Sequence, residues 1–428
     1  MERIEFTKAM KETHTILIPT MLPIHFELLK NILNQTGYHV ELLKKIDDQI
    51  SETGLKYVHN DTCTPAMLVI GQMIDALQSG KYDVDHIALA ITQTGGGCRA
   101  SNYIHLLRKA LVQAGFPQVP VISFNFSKLE KNSGFKMQPM LLLKLLYAFL
   151  YGDLLMWLKN QCLPYEKEKG TTQKLVDYWI DQLTTSFLNS HFLKLKTNSI
   201  AIVESFNAIK RQEIKKIKVG IVGEIYMKYS PLGNRELENF LLEENCEPVV
   251  SGVIDFGLYC LQNSKIDYQY YHRSRWMSFP TQLLSHFIQH LQAQMNQAIL
   301  QHSDFHPMEE FKQLLNKGSD LIDFGVKMGE GWLLTHEIAS LLENDVHHII
   351  SCQPFGCLPN HIVAKGFSKK IKEAYPFANL VCIDYDPSAS IVNQENRIRL
   401  MLENARSMEF NFDLDYQEIQ QQVPLYNQ

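Results

Sequence analysis

The chain begins without an apolar run. MERIEFTKAMKETH lacks the hydrophobic core of a signal peptide, and the expectation is a cytoplasmic protein. It carries no basic tract interleaved with aromatics, and a formal net charge of -5 argues against binding to a nucleic-acid backbone. Cysteine is sparse: eight in 428 residues cannot make a disulfide scaffold, so free thiols or metal ligands are expected. No CxxC pair, HExxH helix, P-loop, nucleophile elbow or EF-hand loop occurs, and no repeat of solenoid period is visible. GIVGE, over Gly220–Glu224, lacks the third glycine of the dinucleotide fingerprint. One stretch approaches membrane-span length, PMLLLKLLYAFLYGDLLMWL from Pro139 to Leu158. Lys144 and Asp153 interrupt it, and a charge near the bilayer centre costs ~3 kcal/mol. It reads as a buried or interface helix, with no membrane span.

What is present is an α/β pattern on a chain long enough for two or three domains. Short apolar runs at 14–19, 38–43, 86–92 and 119–124 read as strands. Helical periodicity fills 24–36, 64–79 and 102–114 between them. Strands spaced in this way predict βα units, a mostly parallel sheet and ligand-binding loops at its carboxyl edge. From about 136 to 215 the strand signal disappears, which marks a helical insertion or connector. A second α/β region starts with IKKIKVGIVGEIY. There 251–256, 348–351 and 379–384 read as strands, and 280–301 and 362–374 as helices. The fold expected is two Rossmann-like, mostly parallel-sheet domains, 1–135 and 216–428, with the helical region between them.

Four cysteines fall in loops at the ends of these strands. Cys63 lies in NDTCTP, Cys98 in TGGGCR, and Cys352 and Cys357 in SCQPFGC. Thiolates are soft ligands for iron or zinc. Gly95, Gly96 and Gly97 would leave amides free to hydrogen-bond a sulfide or an anionic ligand beside Cys98. Cys63 stands where a helix begins, and the amides there favour a thiolate. The plainer reading makes all four buried and inert. Cys162, Cys246, Cys260 and Cys382 sit in helical, boundary or strand contexts and read as structural. Glu224, Glu330, His336, His361, Asp384 and Asp386 are polar candidates near the same loops, with helix capping the alternative for Glu224 and Asp386.

At these residues the chain resembles a known family. NDTCTPAMLVIGQMIDAL, TQTGGGCRASNYIHLLRKAL, VGIVGEIYMKYSPLGNRELENFL, MGEGWLLTHEI, QPFGCLPNHIVAKG and IDYDPSASIVNQENRIRLML look like the 2-hydroxyacyl-CoA dehydratase superfamily. The closest likeness is to the dehydratase-like portion of acyl-CoA dehydratase activase-related proteins. The resemblance implies an oxygen-sensitive [4Fe-4S] cluster, or in a related branch an [8Fe-9S] double-cubane cluster. Cys63, Cys98 and Cys357 match the family's cluster cysteines, and Cys352 would be an added fourth ligand. The implied partners are a separate ATP-dependent iron–sulfur activase that supplies low-potential electrons, an acyl-CoA substrate, and a second subunit or a second copy of the chain. The implied activity is that of an iron–sulfur lyase or electron-transfer component in 2-hydroxyacyl-CoA dehydration. The alternatives are a double-cubane reductase of another small molecule and a non-catalytic metal-binding scaffold.

Overall fold

The computed structural model describes residues 3–59, 62–92, 98–124, 130, 132–272, 275–387 and 389–422. Two four-stranded sheets, parallel throughout, form its centre, so both halves are α/β. The first contains β1 (Thr15–Pro19), β2 (His39–Leu43), β3 (Ile87–Thr92) and β4 (Val121–Phe124) in the order β2-β1-β3-β4. The second contains β5 (Ile217–Gly223), β6 (Cys246–Val250), β7 (His348–Pro354) and β8 (Asn379–Tyr385) in the order β6-β5-β7-β8. The two orders are one topology used twice. In each sheet the first strand has the second on one side and the third on the other, and this reversal opens a crevice at the carboxyl ends. β5 and β7 are the strands on either side of this reversal in the second sheet, so the loops that follow them start beside it.

Burial explains the strand sequences. β7 is buried at all seven positions, and Ile87 to Ile91 of β3 are buried without alternation. Strands covered on both faces read as continuous apolar runs. The helix Pro23–Gln35 starts on a proline suited to its first turn and buries Ile24, Leu28 and Ile32 at helical spacing. In the helix Thr64–Gln78 every residue except Asp75 and Gln78 is buried, so the cysteine before it is carried on a rigid element.

Between the sheets lie three helices, Pro139–Cys162, Thr171–Leu188 and Leu195–Asn207. Pro139–Cys162 belongs to the one described helix long and apolar enough to cross a membrane. Its middle is packed inside the protein, with Tyr151, Leu154, Leu155 and Leu158 fully buried. Asp153, the residue that interrupts its hydropathy, accepts a hydrogen bond from His25 Nε2 of the first half at 2.9 Å. It also accepts from the backbone amides of Val253 (2.9 Å) and Ile254 (3.0 Å) in the second half. One buried carboxylate thus joins three parts of the chain.

Beside it lies Asp255, buried in the first turn of the helix Val253–Tyr271 and accepting from Gln292 Nε2 at 3.3 Å. Burial, then the charges of Asp153 and Glu337, push its carboxyl from the ordinary 3.8 up to about 8. The folded chain therefore keeps a proton that the unfolded chain releases. This contribution to stability is largest at the acid end and is lost as pH rises from about 4 to about 8, at up to ~1.4 kcal/mol per pH unit. Asp255→Asn is expected to remove that slope. Urea midpoints at pH 5 and pH 8 check it, and an equal change in variant and wild type would count against it.

Three local expectations are corrected. The strand placed at 251–256 is a helix from Val253, and the strand itself lies earlier, at β6. The helix expected from Pro280 begins at Arg275 and carries Pro280 inside it. The helix expected over 362–374 is broken near Gly366 into a wide turn, His361–Lys365, and a helix, Ser368–Ala374.

Candidate metal centre

Thr64, first residue of the helix that Cys63 caps, ties the first half to the second. Its amide donates to Phe355 O at 3.1 Å and its hydroxyl to Tyr385 O at 2.9 Å. The loop after β7 therefore lies against the start of this helix. Gly356 makes the approach possible: its φ is +76°, and a Cβ there would sit 3.3 Å from Cys63 Cα. Cys357 follows directly and begins the short helix Leu358–Asn360. The loops that carry Cys63 and Cys357, from different halves, are brought together by the Thr64 amide and hydroxyl.

Cys98 arrives through Tyr103. It precedes the turn Arg99–Asn102, which runs into the helix Tyr103–Gln113. Tyr103 Oη lies 2.9 Å from Cys63 Sγ, and the charges of Cys63 and Cys98 both help to hold the buried Tyr103 phenol well above its ordinary value, behind the larger effect of burial. Cys63 is buried, whereas Cys98 and Cys357 are half-buried. Burial raises the Cys63 thiol, opposed by the Tyr103 hydrogen bond. It raises Cys357 much further, with the charges of Glu330 and Glu224 adding to it.

The second half supplies two carboxyls to the same place. Glu224 ends the β5 loop and caps the helix Ile225–Tyr229 by accepting from Met227 N at 2.9 Å, as its position in the sequence leads one to expect. Gly223 has to be glycine, because a Cβ at its φ of +144° would meet Cys352 O at 2.2 Å. Glu330 accepts from Ile225 N (3.1 Å) and Asn360 Nδ2 (3.0 Å). Both carboxyls are pushed up, chiefly by burial, and Glu224 also by the charge of Glu330. The pseudo-symmetry is informative here. Cys63 precedes the helix leading to β3, and Glu330 lies just before Trp332–Glu343, the helix leading to β7. Cys98 and Cys357 likewise follow the third strand of their sheets. Each half contributes a pair: Cys63 with Cys98, and Glu330 with Cys357.

Cys352 is placed differently. It lies wholly buried inside β7, paired with Gly223 on one side and Ile383 on the other. Its Sγ is 4.0 Å from Tyr385 Oη, and burial pushes the thiol up to about 12. Bringing it to a ligand would require opening a central strand. Gly95, Gly96 and Gly97 lie outside the described residues. His361 stands at the edge of the site, with Nδ1 2.8 Å from Cys357 O and Nε2 3.5 Å from Asp384 Oδ1. His336 does not belong to it: it is buried against Trp332 and Phe324, with Nδ1 2.9 Å from Leu314 O. Sequence reasoning missed Tyr103 and Asn360. Asn360 Nδ2 reaches both Glu330 and, at 3.5 Å, Cys357 Sγ, and its position three residues after a loop cysteine was the only available signal.

Among the described residues, no three His, Cys, Asp or Glu side chains are clustered tightly enough to hold a single metal ion. Tyr103 contacts Cys63 and feels the charge of Cys98, and the loop that carries Cys357 is held against the Cys63 loop. No protein-family model and no curated protein matches this chain.

Proposed function

We propose that this protein is the electron-accepting, iron–sulfur component of a dehydratase or reductase, with Cys63, Cys98 and Cys357 holding a [4Fe-4S] cluster between the two halves. The observation that supports it is the Thr64–Phe355 backbone bond, which sets a cysteine loop of one half on a cysteine loop of the other. When bound, the cluster supplies low-potential one-electron chemistry and, with three protein thiolates, one open iron position.

The chain's own groups do the rest. Tyr103 Oη and Asn360 Nδ2 can donate to the sulfurs of Cys63 and Cys357, and such second-layer bonds fix ligand orientation and tune potential. Burial and the neighbouring charge of Glu330 push Glu224 up to about 8, so this carboxyl can carry a proton beside the site for a leaving hydroxide or a substrate oxygen. The electron donor is a separate ATP-dependent activase, and a 2-hydroxyacyl-CoA is the substrate in the dehydratase reading.

Anaerobic titration with titanium(III) citrate, followed by electron paramagnetic resonance, tests this. Uptake of about one electron per chain with a low-potential iron–sulfur signal is expected. A protein that takes up no electron under these conditions would remove the reading.

A further inference from the structure

The helix Val253–Tyr271, whose start Asp153 caps, also grips the loop that leads to Glu330. Tyr259, buried in its second turn, is the inner point of that grip. The ring packs against Trp332, centroids 5.0 Å apart, and Phe256, 5.8 Å apart. Its hydroxyl lies 2.8 Å from Lys327 O and 2.9 Å from Gly329 O. A phenol has one proton, so it donates to the two carbonyls in alternation. No other described group donates to either of them. A Cβ on Gly331 would meet the same hydroxyl at 2.7 Å, so the chain is wound closely around it. Farther out, Lys327 pairs with Asp267, and Tyr270 donates to Asp323 at 3.1 Å. Both contacts are partly open to solvent, which weakens them. The buried hydroxyl sets the course of the backbone just before Glu330.

That course matters to the metal centre. Glu330 follows Gly329 directly, and its carboxyl accepts from Ile225 N and from Asn360 Nδ2. Asn360 Nδ2 lies in turn 3.5 Å from Cys357 Sγ. An unbroken line of bonded groups therefore runs from the interior of one helix to a thiol of the candidate site. A shift at Tyr259 is carried along it to the sulfur.

We propose that Tyr259 is a positioning residue for the candidate metal centre: its hydroxyl fixes the backbone at Lys327 and Gly329 and, through Glu330 and Asn360, the surroundings of the Cys357 sulfur. The fastening itself stands apart from the iron–sulfur reading. Only its effect on a bound cluster rests on that reading.

Tyr259→Phe keeps the ring against Trp332 and removes only the donor. Hydrogen exchange of the intact chain, followed by mass spectrometry, reads the loop without reference to any cluster. The Gly331 and Trp332 amides, bonded to Met328 O at 3.0 Å and Val326 O at 2.7 Å, are the reporters. They are expected to exchange about five- to tenfold faster in the variant, the order of one buried hydrogen bond, while β7 keeps its wild-type rates. Unchanged exchange at the reporters, or faster exchange spread equally over β7, would overturn the proposal. A second readout separates positioning from packing. In cluster-loaded protein reduced with titanium(III) citrate, Tyr259→Phe should alter the electron paramagnetic resonance spectrum, because bonds to a ligand sulfur tune a cluster. That alteration should vanish in an Asn360→Ala background, where the line to Cys357 is already cut. An unchanged spectrum, or an equal change in both backgrounds, overturns the route through Glu330 and Asn360. If wild-type chain gives no cluster signal, the iron–sulfur reading fails, and the exchange rates alone settle the role of Tyr259.

Discussion

The Cys357→Ser variant, purified without oxygen, is expected to retain less than about a tenth of the wild-type iron and sulfide, whereas Cys352→Ser retains nearly all of it. The two cysteines are five residues apart, yet the fold treats them oppositely. Cys357 follows a left-handed glycine in a loop set against Cys63, half-buried and contacted by Asn360. Cys352 is locked in the middle of a sheet, backbone-paired on both sides. In the proposed reading, removing one of three ligands leaves too few thiolates to retain a cluster, whereas removing a sulfur that faces Tyr385 changes only packing. Equal metal content in both variants would show that the β7 loop is not the ligand-bearing segment.

The second large effect concerns the joint between the halves. Asp153→Ala is expected to lower stability by ~3–5 kcal/mol, because it leaves His25 Nε2 and two helix-start amides without their buried acceptor. The carboxylate acts as an N-cap supplied by a distant helix, in a place where Gly252 offers no side chain. For parts of this size the melting temperature should fall by roughly 5–15 °C, with Asp153→Asn intermediate because it keeps an acceptor oxygen. Calorimetry reads the result. A fall of less than about 1 °C for the alanine variant would mean that the halves are held together elsewhere.

The same joint shows where the sequence stops being legible. Apolar runs such as 86–92 announce strands because burial on both faces demands them, and β3 lies there. The strand β6 stayed hidden because Glu247 and Pro248 interrupt its pattern, which an edge strand tolerates. The apolar residues after Gly252 look extended in the sequence, although they begin a helix whose cap, Asp153, lies 100 residues away. Local periodicity carries no record of such a contact. The site divides in the same way. Cys63, Cys98 and Cys357 stand out in the sequence as candidates because glycine and proline mark their loops, and Glu224 because it ends a strand. Tyr103 and Asn360 became meaningful only once the fold had brought a sulfur to each of them.

The pairing of a cysteine loop from each half is the centre of this account, and composition of the loaded protein tests it most directly. Iron, acid-labile sulfide and zinc should be counted on wild-type chain purified and kept without oxygen. About four iron and four sulfide per chain are predicted, and roughly eight and nine would indicate the double cubane. Near-stoichiometric zinc without sulfide would contradict the account.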